Sequence, residues 1–473
     1  MNAPRLLAAP LPGNDPVFGR GIAELRAAMD SGRLGAMDLV RAYLARIAAH
    51  DQAGPTLNAV LAINGQALAE ASLRDAERHA ASRRETVLGP LHGIPLLFKD
   101  NIDTAGMPTT AGSLALAARR PQRDADVVQR LREAGAVVLG KTTLHELACG
   151  ITNVSSLSGR TRNAYDASLV PGGSSGGSAV AVASSFAAAA IGTDTSGSIR
   201  IPAAFNQVWG LRPTAGRYST AGVVPLSPTL DTVGPMARRL GDLEILWAAM
   251  TGAEPPREED PRQPSRVWRI GTLDALFGSA LAETEVSGHV RTALGGWRAD
   301  GAHVQAVSLP LEDARLAAAN ITGYEFRDAL ARCLRDADLP VQSLTDILDG
   351  GYPHPEVTAL LRERDAMRDP DGSARLAVLG RARALRDEVL AAMEHGQLDL
   401  LAYPTARGAP ARLGEPQRGG NGLLAAVTGL PALSVPIGFT ASGVPVGLEL
   451  LGPAGSERLL LDAARRFDAC GSK

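Results

Sequence analysis

PGGSSGGSAVAVASSFAAAAIGTDTSGSIRIPAA, residues 171–204, is the stretch on which the reading of this 473-residue chain turns. Two Gly/Ser/Thr-dense segments, Gly172–Ser178 and Gly192–Ser198, flank a run of small apolar residues. The run Ser178–Ala190 predicts a helix. Its Ala and Val on every side let other backbones come close, so it belongs in a crowded interior.

Upstream, Leu88–Asp100 is a short apolar run bounded by Gly and Pro, which predicts a buried strand ending in the charge of Lys99. A helix over 124–134 leads into a second buried strand, Ala136–Leu139. Further back, residues 20–50 read as two amphipathic helices, with Leu39, Val40, Tyr43, Leu44 and Ile47 at helical spacing, and 66–84 as a charged surface helix. Downstream, Glu254–Pro264 is a polar, proline-rich connector, and 311–400 is mostly helical by pattern. Leu430–Ile437 and Val444–Leu451 read as two strands joined by a turn containing Ser442 and Gly443. Helix and strand alternate, so the fold class is α/β, and there is no internal repeat or low-complexity tract.

Two familiar patterns occur and fail on context. Gly135–Thr142 matches the phosphate-loop pattern, but its intervening residues, Ala136–Leu139, are strand-formers and cannot also be a flexible loop. Thr142 is better placed as the N-cap of a following helix, with His145 and Glu146 in its first turn. Gly172–Gly176 fits the nucleophile elbow of α/β-hydrolases at Ser174, and the pattern shifted by one fits Ser175. An elbow needs a hydrophobic strand running into the turn, whereas Tyr165–Pro171 is polar and ends in proline. The downstream His289, His303, His354 and His395 sit in contexts that suit surface or packing roles.

Composition narrows the classes further. A chain that is 45% hydrophobic and 21% charged suits a globular protein with a large core. The formal charge of −2 gives no global basic field for nucleic acid or an anionic membrane, and 4% aromatics leave few stacking platforms. Cys149, Cys333 and Cys470 are odd in number and far apart, which excludes a disulfide framework or Cys-based zinc site and suits a reducing compartment. The apolar stretch 178–191 is too short to span a bilayer, and Met1–Gly19 holds no signal-peptide core. A cytoplasmic location is therefore expected.

A third constellation combines Lys99, the Gly-Gly-Ser174-Ser175-Gly-Gly-Ser178 loop and Gly192–Arg200. Lys99 lies 75 residues before Ser174, and Ser198 lies 24 after it. In these residues and separations the chain resembles the amidase signature family across about residues 20–250, and weakly over the last fifty. The resemblance implies one domain over residues 1–473, with a central mixed β-sheet flanked by helices on both faces. The catalytic core would cover about 60–250, and a variable helical pocket region about 310–420.

The resemblance also implies roles. Ser198 would be the nucleophile, Ser174, held by a cis peptide, the bridging hydroxyl, and Lys99 the base. Apolar neighbours such as Leu96, Leu97 and Phe98 would push the Lys99 pKa down. Backbone N–H groups of Thr195, Ser196, Gly197 and Ser198 would form an oxyanion hole. Ser175, Thr193 and Asp194 would support the loop by hydrogen bonding. Arg200 would sit in a structural ion pair, with contact to an acidic substrate as the other reading.

The chain departs from the family in having Ser196 where glycine is usual, and Asn206-Gln207 where Cys-Gly is common. These two and Trp209 read as packing or pocket-wall residues. Leu147, Cys149, Ile151 and Thr152 are candidates for the pocket, with core packing as the competing reading. The substrate expected by resemblance is a small apolar or aromatic amide, as for stand-alone arylacetamide and peptide amidases. No cofactor or metal is expected, and a homodimer is compatible. The alternatives are the glutaminase component of a tRNA-dependent amidotransferase, which would need partner chains, and a catalytically dead scaffold.

Overall fold

A computed structural model describes residues 4–13, 15–84, 86–253, 266–335 and 337–471. The proline-rich connector expected over 254–264 lies outside the described residues. So does the side chain of Cys470, while Cys149 and Cys333 are free thiols.

The strands are β1 (Val60–Ile63), β2 (Pro95–Lys99), β3 (Val137–Thr142), β4 (Val154–Ser155), β5 (Gly159–Arg160), β6 (Ala189–Asp194), β7 (Trp209–Arg212), β8 (Thr232–Ala237), β9 (Arg269–Leu273), β10 (His303–Val307), β11 (Leu400–Pro404), β12 (Ala432–Phe439) and β13 (Pro445–Leu451). β4 and β5 form a small separate hairpin. The rest build one eleven-stranded sheet in the order β1-β3-β2-β6-β8-β7-β12-β13-β11-β9-β10, flanked by helices.

The sheet is mixed. β2 runs parallel to both β3 and β6, while β6 and β8 are antiparallel. β2 is buried along its whole length, which suits its unbroken Pro-Leu-Leu-Phe run. It therefore delivers Lys99 at the end of an interior strand beside the end of β6. β12 and β13 pair antiparallel, with Gly443 at φ 89 in the turn between them. The two C-terminal strands and their turn are as read from the pattern.

The small-residue helix is shorter than expected. It spans Gly176–Ala183, not 178–190, and the chain turns at Ser185, whose φ is 55. Ala189–Asp194 then forms β6, bonded on one side to β2 and on the other to β8. Alanine favours helix only by a fraction of a kcal/mol per residue, and two flanking strands override that preference. The helix itself is buried on every face, as its composition requires. Gly177 shows why: a Cβ there would sit 2.3 Å from Thr143 Oγ1 and 2.6 Å from the Ala59 carbonyl.

The phosphate-loop lookalike is strand β3, so its residues cannot cradle a phosphate. Thr142 is the last residue of that strand and its hydroxyl bonds Ser178 Oγ at 2.7 Å, so it caps no helix. The N-cap of the short turn Glu146–Ala148 is His145.

The helical segment expected over 311–400 forms as Asp313–Ala318, Thr322–Leu334, Leu344–Asp349, Pro355–Ala366 and Ser373–His395. It carries its own apolar core, in which Phe326, Leu330, Ile347 and Leu361 meet Leu116, Leu147 and Cys149. Two buried glutamates tie this layer to the sheet domain. Glu146 accepts the N–H groups of Ser156 and His354, each at 2.9 Å. Glu325 accepts Ser227 Oγ and Thr229 Oγ1, each at 2.6 Å, and Arg375 Nη2 at 2.8 Å.

Candidate active site

Lys99, Ser174 and Thr193 meet at the ends of β2 and β6. Lys99 Nζ lies 2.7 Å from Ser174 Oγ, 2.7 Å from Thr193 Oγ1 and 3.4 Å from the Thr193 carbonyl. Both Lys99 and Ser174 are completely buried. Removal from water disfavours the ammonium form and pushes the Lys99 pKa down to about 7, although Asp194 and Asp231 pull the other way. Asn101 Nδ2 donates to Thr193 Oγ1 at 3.1 Å and completes the polar surround of the lysine.

The Gly173–Ser174 peptide is cis. The Ser174 carbonyl accepts the His145 N–H at 3.1 Å, which ties the serine loop to the segment after β3. His145 is itself buried. Burial first, and then Arg364, His354 and Lys99, push its pKa down to about 3, so its imidazole is neutral. Its Nδ1 accepts the Asn153 N–H at 3.2 Å.

Ser175 joins the two Gly-rich segments. Its N–H donates to the Ser198 carbonyl at 3.1 Å, and its hydroxyl donates to the Thr193 carbonyl at 3.0 Å. Gly192 must lack a side chain for this, since a Cβ would fall 2.8 Å from Ser175 Oγ. Ser198 is 5% exposed, and its hydroxyl has no hydrogen-bond partner among the described residues.

The loop that carries Ser198 is wrapped around Asp194. That carboxylate accepts the Gly197 N–H at 2.9 Å and the Ile199 N–H at 3.1 Å. Arg200 Nε reaches it at 3.1 Å and Arg212 Nη1 at 2.9 Å. Burial alone would raise the Asp194 pKa, but the two guanidiniums and these bonds outweigh it and hold the group ionised. Arg200 also pairs with Glu449 and donates to the Gly422 carbonyl at 2.8 Å. Tyr403 adds a hydroxyl to Glu449 at 2.9 Å. Arg200 is fully buried in this cluster, where no substrate can reach it.

With the Gly197 N–H turned to Asp194, the N–H groups of Thr195, Ser196 and Ser198 are the ones left without a partner among the described residues. Gly197 has φ 109, and a Cβ there would come within 2.9 Å of Gly422 Cα. The positive φ and the close backbone approach both require glycine at this position.

The four pocket candidates separate. Leu147 and Cys149 are 2% exposed and belong to the core under the helical layer, with Arg364 Nη1 2.8 Å from the Cys149 sulfur. Ile151 is half-buried and packs on Ile201, Phe205 and Ala406, and Thr152 Oγ1 lies 3.4 Å from His145 Nδ1. A Cβ on Gly173 would meet Ile151 at 3.1 Å, so Ile151 lies against the loop that holds Ser174. Asn206 donates to the carbonyls of Pro171 and Pro202, and Gln207 to that of Val446, so both lock backbone.

The expected residues missed Arg212, Asp231, Glu449 and Tyr403. None lies in a recognisable spacing with Lys99 or Ser198. The one signal available was that charges or polar groups interrupt the apolar runs around Leu211, Leu230, Leu448 and Ala402.

Comparison with known proteins gives the family. The family model described as Amidase matches residues 38–461. The structure is similar to the peptide amidase of Stenotrophomonas maltophilia, with a TM-score of 0.85, 39% identity, and 97% and 98% of the two chains covered. It is also similar to an amidase family protein from Bacillus anthracis, with a TM-score of 0.81, 29% identity, and 96% and 91% covered. In sequence it is 35% identical to a glutamyl-tRNA(Gln) amidotransferase subunit of Halorhodospira halophila, over 94% of this chain and 96% of that protein. On the family match and these relatives, the chain belongs to the amidase family of amide hydrolases, with the mixed sheet and flanking helices of that fold.

Proposed function

We propose that the protein hydrolyses a linear carboxylic amide through an acyl-enzyme on Ser198, with Ser174 and Lys99 as a proton relay. The observation that carries this reading is the buried Lys99, 2.7 Å from Ser174 Oγ and with its pKa pushed to about 7. An amine with a substantial neutral fraction near pH 7 accepts a proton; an ordinary surface lysine does not.

Ser198 Oγ, without a partner among the described residues, turns to Ser174 Oγ on substrate binding and attacks the amide carbon as its proton passes to Ser174 Oγ and the Ser174 proton to Lys99 Nζ. The carbonyl oxygen becomes an oxyanion facing the N–H groups of Thr195, Ser196 and Ser198, which have no partner among the described residues. The C–N bond then breaks, and the proton returns along the relay to the departing nitrogen, releasing ammonia or an amine. Water attacks the acyl ester by the same route and frees Ser198. Asp194 takes no part in proton transfer; it holds the loop.

The first-favoured substrate is a small apolar or peptide amide acted on by this chain alone, in keeping with the 39% identity to a peptide amidase over nearly its full length. The second reading is a glutaminase that works within an amidotransferase, favoured by the 35% identity to a glutamyl-tRNA(Gln) amidotransferase component. Ammonia release by the isolated chain from aliphatic, aromatic and peptide amides separates them. Turnover of apolar or peptide amides supports the first, whereas glutamine as sole substrate supports the second.

The pH profile is a second check. Lys99 must be neutral to accept a proton, so kcat/KM is expected to fall about tenfold per pH unit below roughly pH 7. A rate that is flat down to pH 5 would remove Lys99 from the role of base.

A further inference from the structure

We propose that Asp231 is a positioning residue of this active site, holding Thr195 and the Leu226–Ser227 backbone so that the N–H donors beside Ser198 point at one spot. The inference rests on the amide-hydrolysis reading above and adds to it a residue outside the Gly/Ser motif.

The geometry follows from strand register. The β6–β8 ladder ends at the pair Asp194–Thr232, and one step further out Thr195 faces Asp231. Asp231 Oδ1 accepts the Thr195 hydroxyl at 2.6 Å, and Oδ2 accepts the N–H groups of Leu226 and Ser227, each at 2.9 Å. Three bonds from two segments fix the carboxylate, which is 8% exposed. Thr195 is thus held through its side chain, which leaves its N–H free of the backbone ladder. Asp194 holds the same loop by accepting the backbone N–H groups of Gly197 and Ile199. Two carboxylates hold the loop of donors, Asp194 at the end of β6 and Asp231 just before β8.

Asp231 also ties this loop to the helical layer. Ser227 and Thr229, on the same turn, donate their hydroxyls to Glu325 of the helix Thr322–Leu334, and Arg375 holds that glutamate from the helix Ser373–His395. The position of the helical layer is therefore passed to Thr195 through one short turn.

The charge has a separate effect. Asp194 and Asp231 are the carboxylates that favour the ammonium form of Lys99. Arg200 and Arg212 face Asp194, Arg212 also acts on Asp231, and His145, which interacts electrostatically with Lys99, is neutral. Burial raises the Asp231 pKa to about 6, against its bonds from Thr195, Leu226 and Ser227. Loss of the Asp231 charge destabilises protonated Lys99, so the acid limb of kcat/KM moves to lower pH. Loss of the Thr195 bond keeps the carboxylate but removes one bond that lowers its pKa, so the limb moves the same way by a smaller amount.

The test uses Asp231→Asn, Thr195→Val and Thr195→Ser in the full chain, with kcat, KM and the pH profile measured on the best amide of the panel. Asp231→Asn is expected to lower kcat about 10- to 100-fold with KM within about threefold, and to shift the acid limb downward. Thr195→Val is expected to lower kcat similarly with a smaller downward shift of the limb, and Thr195→Ser to recover kcat to within about threefold.

Wild-type kcat and limb in Asp231→Asn would overturn the proposal, as would a Thr195→Ser as slow as Thr195→Val. If Asp231→Asn shows no cooperative melting, the threonine pair decides, and wild-type kcat in Thr195→Val refutes the role. Activity that survives Ser198→Ala would instead refute the amide-hydrolysis reading, so the two failures are distinct.

Discussion

Ser198→Ala is expected to lower amide turnover by roughly 10⁴- to 10⁶-fold, the scale seen when an enzyme loses its nucleophile. Its effect on stability should be small. The Ser198 hydroxyl has no partner among the described residues, so its removal strands no buried donor or acceptor. A change within about 1 kcal/mol is expected on unfolding. Ser174→Ala should differ in kind, because it takes away the oxygen that faces Lys99 at 2.7 Å. Kinetics and thermal melting of the two variants, measured together, check the contrast. A Ser198→Ala enzyme within tenfold of wild type would mean that another group attacks the amide.

The second large effect is structural. Asp194→Asn should destabilise the protein by about 3–5 kcal/mol, the cost of removing one partner from a buried ionic cluster. Arg200 and Arg212 are both fully buried on this carboxylate, and Glu449 neutralises only part of their charge. The amide that replaces it turns a donor toward the N–H of Gly197 or Ile199, so the loop loses an anchor as well. Denaturant unfolding and kcat should therefore fall together, unlike Ser198→Ala.

The sign of the pH dependence follows. The Asp194 pKa is depressed in the folded state, so its stabilisation is complete above the ordinary carboxylate pKa of 3.8 and is lost as pH falls below it. The wild type should thus lose stability on acidification through this window more steeply than Asp194→Asn.

The parts of the site that one continuous motif encodes are legible in the sequence. Ser174, Ser175, Asp194 and Ser198 lie within 25 residues, and backbone geometry alone brings them close. Lys99 is legible as the charge that ends an apolar strand. β2 delivers it there because its neighbours are buried, and the same burial pushes its pKa down. The C-terminal strand pair is legible because Gly443 punctuates two apolar runs.

What sequence reasoning misses has physical reasons too. Ala189 and Ala190 read as helix from local preference, and only the strands on either side make them the start of β6. Asp231, Arg212 and Glu449 come from three different strands or their ends, and their placement around the Asp194–Ser198 loop depends on sheet order, which no local pattern carries. Leu147 and Cys149 read as either pocket wall or core. The helical layer that covers them lies some two hundred residues away in sequence, so no local pattern pairs its apolar face with theirs.

The most direct measurement is covalent labelling of the nucleophile. The full chain is treated with a fluorophosphonate at pH 8, where Lys99 is mostly neutral, and the modified peptide is identified by mass spectrometry. A single adduct on Ser198, absent from Ser198→Ala and formed much more slowly at pH 5.5, is the predicted result. An adduct on Ser174 or Ser175, or labelling that persists in Ser198→Ala, would contradict it.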